Sequence, residues 1–242
     1  MKIEELFSRC EGAFAKHTLR AYRADYRVYE AWCGQAGVSL DHPEPAQVAQ
    51  FVEAMAASRA SATVRRYLDS LTSLRRLAGL PSVTQHPEVT LAIKRMYRRK
   101  GHGQARAVPL TRAALTELLT VCQTDLMGLR DRLLLTLGYY TMRRRAELCS
   151  FRFEDIERRY DGRQALRLRF SKADQWGMGE LLAMAPPLSE LVQEWGESVG
   201  ARGYLLRGSR TLYTGDRPLS PATINLRLRA LQDRAGLSLG GW

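Results

Sequence analysis

Apolar positions recur with a helical period through most of the first hundred residues. Leu19, Tyr22, Tyr26, Tyr29 and Cys33 follow one another at steps of three and four, which is one stripe of a helix between about His17 and Gly34. A second stripe with the same spacing, Lys16, Arg20, Arg23 and Arg27, lies on another face of that helix. Val64, Tyr67, Leu68, Leu71 and Leu74 make a further inward face, with Ser61 as its expected N-cap and Gly79-Leu80-Pro81 as its stop. Shorter helices are predicted between Pro45 and Ser58 and from Glu88 to about Tyr97. Residues 1–100 therefore read as a bundle of four or five helices. Lys94, Arg95, Arg98, Arg99, Lys100 and Arg106 follow with no acidic residue before Glu117, and Gly101 and Gly103 loosen the backbone, so 101–108 reads as a basic linker.

After Pro109 the pattern changes. Thr111 is placed to cap a helix that turns Leu115, Leu118, Leu119 and Cys122 inward, and a longer apolar helix runs from about Gly128 to Thr141. From Gln164 to Phe170 the period drops to two, with Leu166, Leu168 and Phe170 alternating with Arg167 and Arg169, the signature of a half-buried strand. Ser171 to Gly179 reads as a hairpin tip, with a return strand near Glu180 to Ala185. Two more helices are expected, one from about Leu188 to Glu197 and one opened by Ser220 and Pro221 and closed by Gly236. The fold class is mainly α with a small antiparallel β-sheet, the second domain occupying 109–242.

Composition adds a partner to this outline. With 37 Lys and Arg against 25 Asp and Glu, the formal charge is +12 at pH 7, which favours a polyanion, nucleic acid first. No apolar run approaches the roughly 18 residues that span a bilayer, and the first residues lack the apolar core of a secretory signal. No membrane partner and a cytoplasmic location are expected. Cys10, Cys33, Cys122 and Cys149 are scattered, as are the four histidines, and neither type has metal-ligand spacing. We expect no metal.

The sharpest local feature is Thr141-Met142-Arg143-Arg144-Arg145-Ala146-Glu147-Leu148, three arginines at the end of an apolar helix. Arg144 and Glu147 stand at i and i+3, where the carboxylate can hold the guanidinium in one orientation, and an oriented guanidinium suits phosphate because its fork makes two parallel hydrogen bonds. A surface salt bridge is the competing reading. Lys172, at the hairpin tip, has the chemistry of a proton donor to an oxygen leaving group; a solvated loop lysine is the alternative. The basic stripe on the first long helix, together with Arg65, Arg66, Lys94, Arg98, Arg99 and Lys100, reads either as a phosphate-facing surface or as an ordinary solvated one.

The order of these features resembles the tyrosine recombinase, or phage integrase, family over nearly the whole chain. His17-Thr18-Leu19-Arg20-Ala21-Tyr22, Ala31-Trp32-Cys33 and the stretch from Gly79-Leu80-Pro81 to His86-Pro87 resemble its core-binding domain. Pro109-Leu110-Thr111, Arg130-Asp131-Arg132-Leu133-Leu134-Leu135 and Arg144-x-x-Glu147-Leu148 resemble the start of its catalytic domain. Ser171-Lys172-Ala173-Asp174 is similar to its β-hairpin lysine motif, and Leu219-Ser220 with Ala235-Gly236-Leu237 to the approach to its second catalytic box. The resemblance implies a helical core-binding domain followed by an α+β catalytic domain. It implies Arg144 as the first catalytic arginine, Glu147 as its support and Lys172 as the general acid. It also implies strand cleavage through a 3′-phosphotyrosyl link without metal or nucleotide cofactor, double-stranded DNA as partner, and a homo-oligomer on that DNA.

Two departures from the family pattern stand out. The positions before its first catalytic arginine usually hold Gly and an apolar residue, whereas here they hold Met142 and Arg143; the register among Arg143, Arg144 and Arg145 stays open, with the spacing to Glu147 favouring Arg144. The family also continues into His-x-x-Arg and then a nucleophilic Tyr, which do not follow Leu237-Ser238-Leu239-Gly240-Gly241-Trp242. The catalytic domain is therefore expected to be incomplete, and this chain to bind DNA, as a recombinase part or a competing relative, without completing the reaction. Tyr204 and Tyr213 are expected to serve core or turn packing.

Overall fold

The computed structural model describes residues 3–103, 108–171, 174 and 177–239, and these fold as two compact units, 1–105 and 106–242. The first unit contains α1 (Ile3–Cys10), α2 (Lys16–Ala36), α3 (Pro45–Ser58), α4 (Ser61–Leu77) and α5 (Pro87–Lys100). The apolar stripe of α2 is its core face, with Leu19, Tyr26, Tyr29 and Cys33 buried and Tyr22 half-buried, and the helix stops at Gly37 in the left-handed conformation, φ 66°. α2 and α4 are joined through the buried carboxylate of Asp25, which accepts from Ser70 Oγ at 2.6 Å and pairs with Arg66 Nη1 at 2.8 Å. A buried carboxylate is tolerable only with such partners.

Two expectations for this unit are corrected. Ser61 is the first residue of α4 rather than its cap; Ala60 holds the cap position, and the Ser61 hydroxyl donates instead to the carbonyl of Gly101 at 3.1 Å, tying the start of α4 to the chain leaving α5. α5 runs past Tyr97 to Lys100, so most of the basic run is helical. Its last turn carries Arg98, Arg99 and Lys100 at the end where the helix dipole favours cations. Lys100 Nζ also donates to the carbonyls of Ala56 and Arg59, capping the end of α3.

The second unit contains α6 (Arg112–Thr120), α7 (Leu126–Thr141), α8 (Arg145–Ser150), β1 (Ile156–Arg158), β2 (Gln164–Leu168), β3 (Glu180–Ala183), α9 (Pro186–Val199) and α10 (Pro221–Ala235). Thr111 caps α6 by accepting from the Ala114 amide at 3.2 Å, Ser220 caps α10 by accepting from Thr223 at 3.0 Å, and Gly236 closes α10 with φ 64°. The strands form an antiparallel sheet in the order β1-β2-β3, with Ile156 opposite Leu166 and Leu168 opposite Glu180. Leu166, Leu168 and Leu182 reach the core, where they join Leu133, Leu135 and Leu137 of α7 and Trp195 of α9. Phe170 does not: β2 ends at Leu168, and the Phe170 side chain is exposed over Gly177.

Buried arginines hold this unit together. Asp131 of α7 is 1% exposed and receives Arg130 Nη2 at 2.9 Å and Arg227 Nη2 of α10 at 2.5 Å, so one carboxylate joins two helices. Arg207 is fully buried. Its guanidinium donates to the carbonyls of Tyr204 (2.6 Å), Leu212 (2.6 Å), Val199 and Gly200 (both 3.1 Å) and to that of Arg202. The Val199 and Gly200 carbonyls are the negative end of α9, so the cation sits where the helix dipole favours it, while burial lowers its pKa from the ordinary value.

Replacing Arg207 with Met orphans this set of carbonyls inside the unit. Arg207→Met is expected to destabilise the second unit by about 3 kcal/mol or more, read by chemical denaturation; a loss under about 1 kcal/mol would show that water or relaxation replaces the guanidinium.

Candidate functional site

α7 ends because Met142 adopts the left-handed conformation, φ 50°, the one non-glycine residue with positive φ among the described residues. The chain re-enters a helix at Arg145 with Arg144 as N-cap. Glu147, 7% exposed at its side chain, supplies both oxygens to this turn: Oε2 accepts from the Arg144 amide and Oε1 from Arg144 Nη1, each at 3.1 Å. The same carboxylate thus fixes the backbone and the side chain of Arg144, whose side chain nevertheless remains 63% exposed. An open guanidinium held from behind presents its remaining N–H groups outward, the arrangement that receives non-bridging phosphate oxygens.

The neighbouring arginines are placed differently. Arg143 closes its fork on Glu180, Nη1 to Oε2 at 2.9 Å and Nη2 to Oε1 at 3.1 Å, and its Nε donates to the Thr141 carbonyl at 3.0 Å. Arg145 begins α8 and is half-buried. Cys149, on the same short helix, is buried, and desolvation pushes its thiol up to about 11, away from thiolate chemistry at neutral pH.

Lys172 lies outside the described residues. Among the described residues of the β2–β3 connection, Asp174 Oδ1 accepts from the amides of Gly177 (3.0 Å) and Met178 (3.2 Å), and its Oδ2 accepts from Gly179 (2.7 Å). The Asp174 amide donates to Ser171 Oγ at 2.9 Å. Asp174 belongs to the hairpin motif read from the sequence, which assigns it no role; an Asp ahead of a Gly-x-Gly turn is the signal for this one.

On the first unit, Lys16, Arg20 and Arg27 of α2 and Lys94 and Arg98 of α5 are exposed, and none of them has a carboxylate partner among the described residues. The other candidates are engaged. Arg23 lies over the Phe7 ring at 4.8 Å and reaches Glu4 at 4.0 Å and Glu11 at 3.9 Å. Arg65 pairs with Asp69 at 3.1 Å and Arg66 with Asp25, Lys100 caps α3, and Arg99 joins Arg95 on Glu53, holding that carboxyl below its usual pKa. Tyr204 is half-buried beneath Arg152, whose guanidinium lies 4.5 Å from the ring centre, and Tyr213 is exposed in a turn. Among the described residues no three His, Cys, Asp or Glu side chains gather in a metal-binding group, and no helix is long and apolar enough to cross a membrane.

Residues 4–79 match the phage integrase N-terminal SAM-like domain. An integrase/recombinase xerD homolog from Selenomonas ruminantium is 29% identical over 181 residues, and the recombinase cre of Escherichia phage P1 is 24% identical over 189 residues. The chain is thus similar to tyrosine recombinases, with the phage integrase SAM-like match confined to its first unit. Those alignments take in 73% and 76% of this chain but 52% and 55% of the relatives, so the chain spans about half their length. The fold agrees: a lambda integrase tetramer bound to a Holliday junction superposes with a TM-score of 0.67 at 18% identity, over 99% of this chain and 67% of that one. The Tn1549 transposon integrase, in complex with transposon right end DNA, gives 0.68 at 14%, over 100% of this chain and 81% of that one.

Met142, two positions before Arg144, holds a conformation that favours glycine. Met142 is 86% exposed, so little packing is lost on removing its side chain. Met142→Gly is expected to stabilise the second unit by roughly 1 kcal/mol, seen as a higher unfolding midpoint. A lower midpoint would mean that the left-handed turn is not a source of strain.

Proposed function

We propose that this chain binds duplex DNA and seats a scissile phosphate on Arg144, as part of a site-specific recombinase whose reaction cleaves and rejoins strands through a 3′-phosphotyrosyl intermediate. The observation that carries this reading is the Arg144–Glu147 arrangement, an exposed guanidinium fixed by a buried carboxylate at a helix break. As the phosphate becomes pentacoordinate its equatorial oxygens gain charge, and a guanidinium already in place stabilises that charge without reorganising. Glu147 is the supporting residue. Lys172 is assigned as the general acid that protonates the departing 5′-hydroxyl. The scheme needs no metal or nucleotide cofactor.

Lys16, Arg20, Arg27, Lys94 and Arg98, exposed and without carboxylate partners, supply the sequence-independent grip on the phosphate backbone. Arg23, Arg65, Arg66, Arg99 and Lys100 serve it secondarily, because contact with DNA competes with the partners they already hold. By analogy with the DNA-bound structural neighbours, we further propose a homo-oligomer assembled on DNA and action in the cytoplasm, where its substrate lies.

Duplex affinity measured against salt concentration tests this. Combined Lys16→Ala, Arg20→Ala and Arg27→Ala is expected to reduce the slope of log K against log salt by about 0.9 for every phosphate contact removed. Arg144→Ala is expected to weaken binding, and Arg144→Lys to fail to restore it, because an ammonium cannot reproduce the parallel fork. Weakening from the α2 changes with none from Arg144 would leave a helical DNA-binding protein without a phosphate pocket. Covalent protein–DNA species trapped on a nicked duplex separate strand cleavage from binding alone.

A further inference from the structure

We infer that the β1–β2 turn, Arg158 to Arg163, is a second DNA-contacting site, which engages a stretch of duplex other than the one seated on Arg144. The inference rests on the reading of this chain as a duplex-binding protein and adds a site that the reading does not use. The turn is short and well fixed. Arg158 is the last residue of β1 and lies opposite Gln164, the Arg159 amide donates to the Arg163 carbonyl at 2.8 Å, and the Gly162 amide donates to the Arg159 carbonyl at 3.0 Å. Gly162 takes φ 81°, in the region that suits glycine.

Every residue from Arg158 to Arg163 is exposed, and Tyr160 is 96% accessible, more than any other large apolar or aromatic side chain among the described residues. Three of these residues are arginines, and the carboxylates beside them are already engaged. Glu157 is held by Arg167, and Asp161 accepts from the Arg163 amide at 3.0 Å and from Arg163 Nε at 2.8 Å. These hydrogen bonds, with a smaller contribution from the charge of Arg159, hold both carboxyls below their usual pKa. Arg158 and Arg159 form no ion pair among the described residues, so their forks are open to an outside acceptor.

This chemistry selects a polyanion. A guanidinium binds non-bridging phosphate oxygens through parallel hydrogen bonds, and a tyrosine hydroxyl beside such arginines is a further donor to the backbone. The shape favours DNA over an acidic protein face, since a two-stranded ribbon is narrow enough to enter the major groove. Carboxylates of a protein partner would gain little from arginines on so open a turn.

The position of the turn separates it from the Arg144 site. The Gln164 end of β2 carries the turn, and its Leu168 end lies opposite Glu180, which is held by Arg143, the neighbour of Arg144 in sequence. At about 3.3 Å per residue the two ends of this strand stand about 13 Å apart, so one phosphate cannot serve both. Because a duplex advances about 3.4 Å per base pair, the turn takes DNA at least about four pairs away from the phosphate on Arg144.

Binding of a random-sequence duplex tests the site. The double variant Arg158→Ala with Arg159→Ala is expected to weaken affinity by roughly tenfold, and to lower the slope of log K against log salt by about 0.9 for each arginine that meets a phosphate. Both side chains are exposed, so the unfolding midpoint is expected to stay constant. With Tyr160→p-benzoylphenylalanine, irradiation of the complex is expected to crosslink position 160 to DNA. Unchanged affinity and slope in the double variant overturn the site, as does a photoproduct that joins position 160 to protein alone. If the three α2 substitutions and Arg144→Ala weaken binding while the double variant does not, the duplex reading stands and this inference fails by itself. If none of these changes alters binding, the duplex reading has failed and takes the site with it.

Discussion

The break between α7 and α8 is organised around one buried carboxylate, that of Glu147. A carboxylate taken out of water is costly unless strong donors meet it, and here the Arg144 amide and guanidinium meet its two oxygens. Satisfying it requires the chain to leave the helical path after Thr141, place Arg144 in extended conformation and start again at Arg145. That requirement puts Met142 in the left-handed region and turns Arg143 away from Arg144 toward β3. The exposed fork of Arg144 is the outward side of the same interaction: one terminal nitrogen is held by Glu147 while the rest of the side chain faces out.

Much of this was legible in local sequence. The i, i+3 spacing of Arg144 and Glu147 predicts their contact, since such residues share a helix face or a capping turn. Thr111 and Ser220 announce helix starts and Gly236 a stop through chemistry confined to one turn. Ser61 misled because a hydroxyl ahead of an apolar run has two uses, and here the tertiary partner Gly101 took it. β1 is three residues long, too short for alternation to register, and Phe170 kept the period of β2 after the strand had ended. The long-range pairs had no local signal at all. Asp25 meets a partner 45 residues away, Asp131 one 96 residues away, and Arg143 one 37 residues away. Nothing in the sequence around any of them says which distant residue will arrive.

The charge balance illustrates the same limit. A formal +12 points to a polyanion, but several of the arginines that make it up are internal fasteners. Arg207 holds carbonyls, Arg130 and Arg227 hold Asp131, Arg75 donates to the carbonyls of Pro81 and Asp41, and Arg66 holds Asp25. On the first unit the helical spacing that groups Lys16, Arg20, Arg23 and Arg27 is correct, yet Arg23 is drawn to the acidic residues around α1 and the other three are not. Periodicity assigns a side chain to a face. It does not assign its partner.

What separates a fastening arginine from a phosphate-receiving one is the number of donors left unused and the direction they face. A guanidinium has five N–H groups. Arg207 turns its nitrogens onto a ring of carbonyls in the interior, and Arg143 places all three of its nitrogens in contacts that link helix to sheet. Arg144 gives one terminal nitrogen to Glu147 and keeps the rest at an exposed surface. Three arginines adjacent in sequence can therefore differ in chemistry although their composition is the same, and the difference arises from Glu147 and Glu180, one local and one distant. The first orients Arg144; the second occupies the neighbouring fork of Arg143.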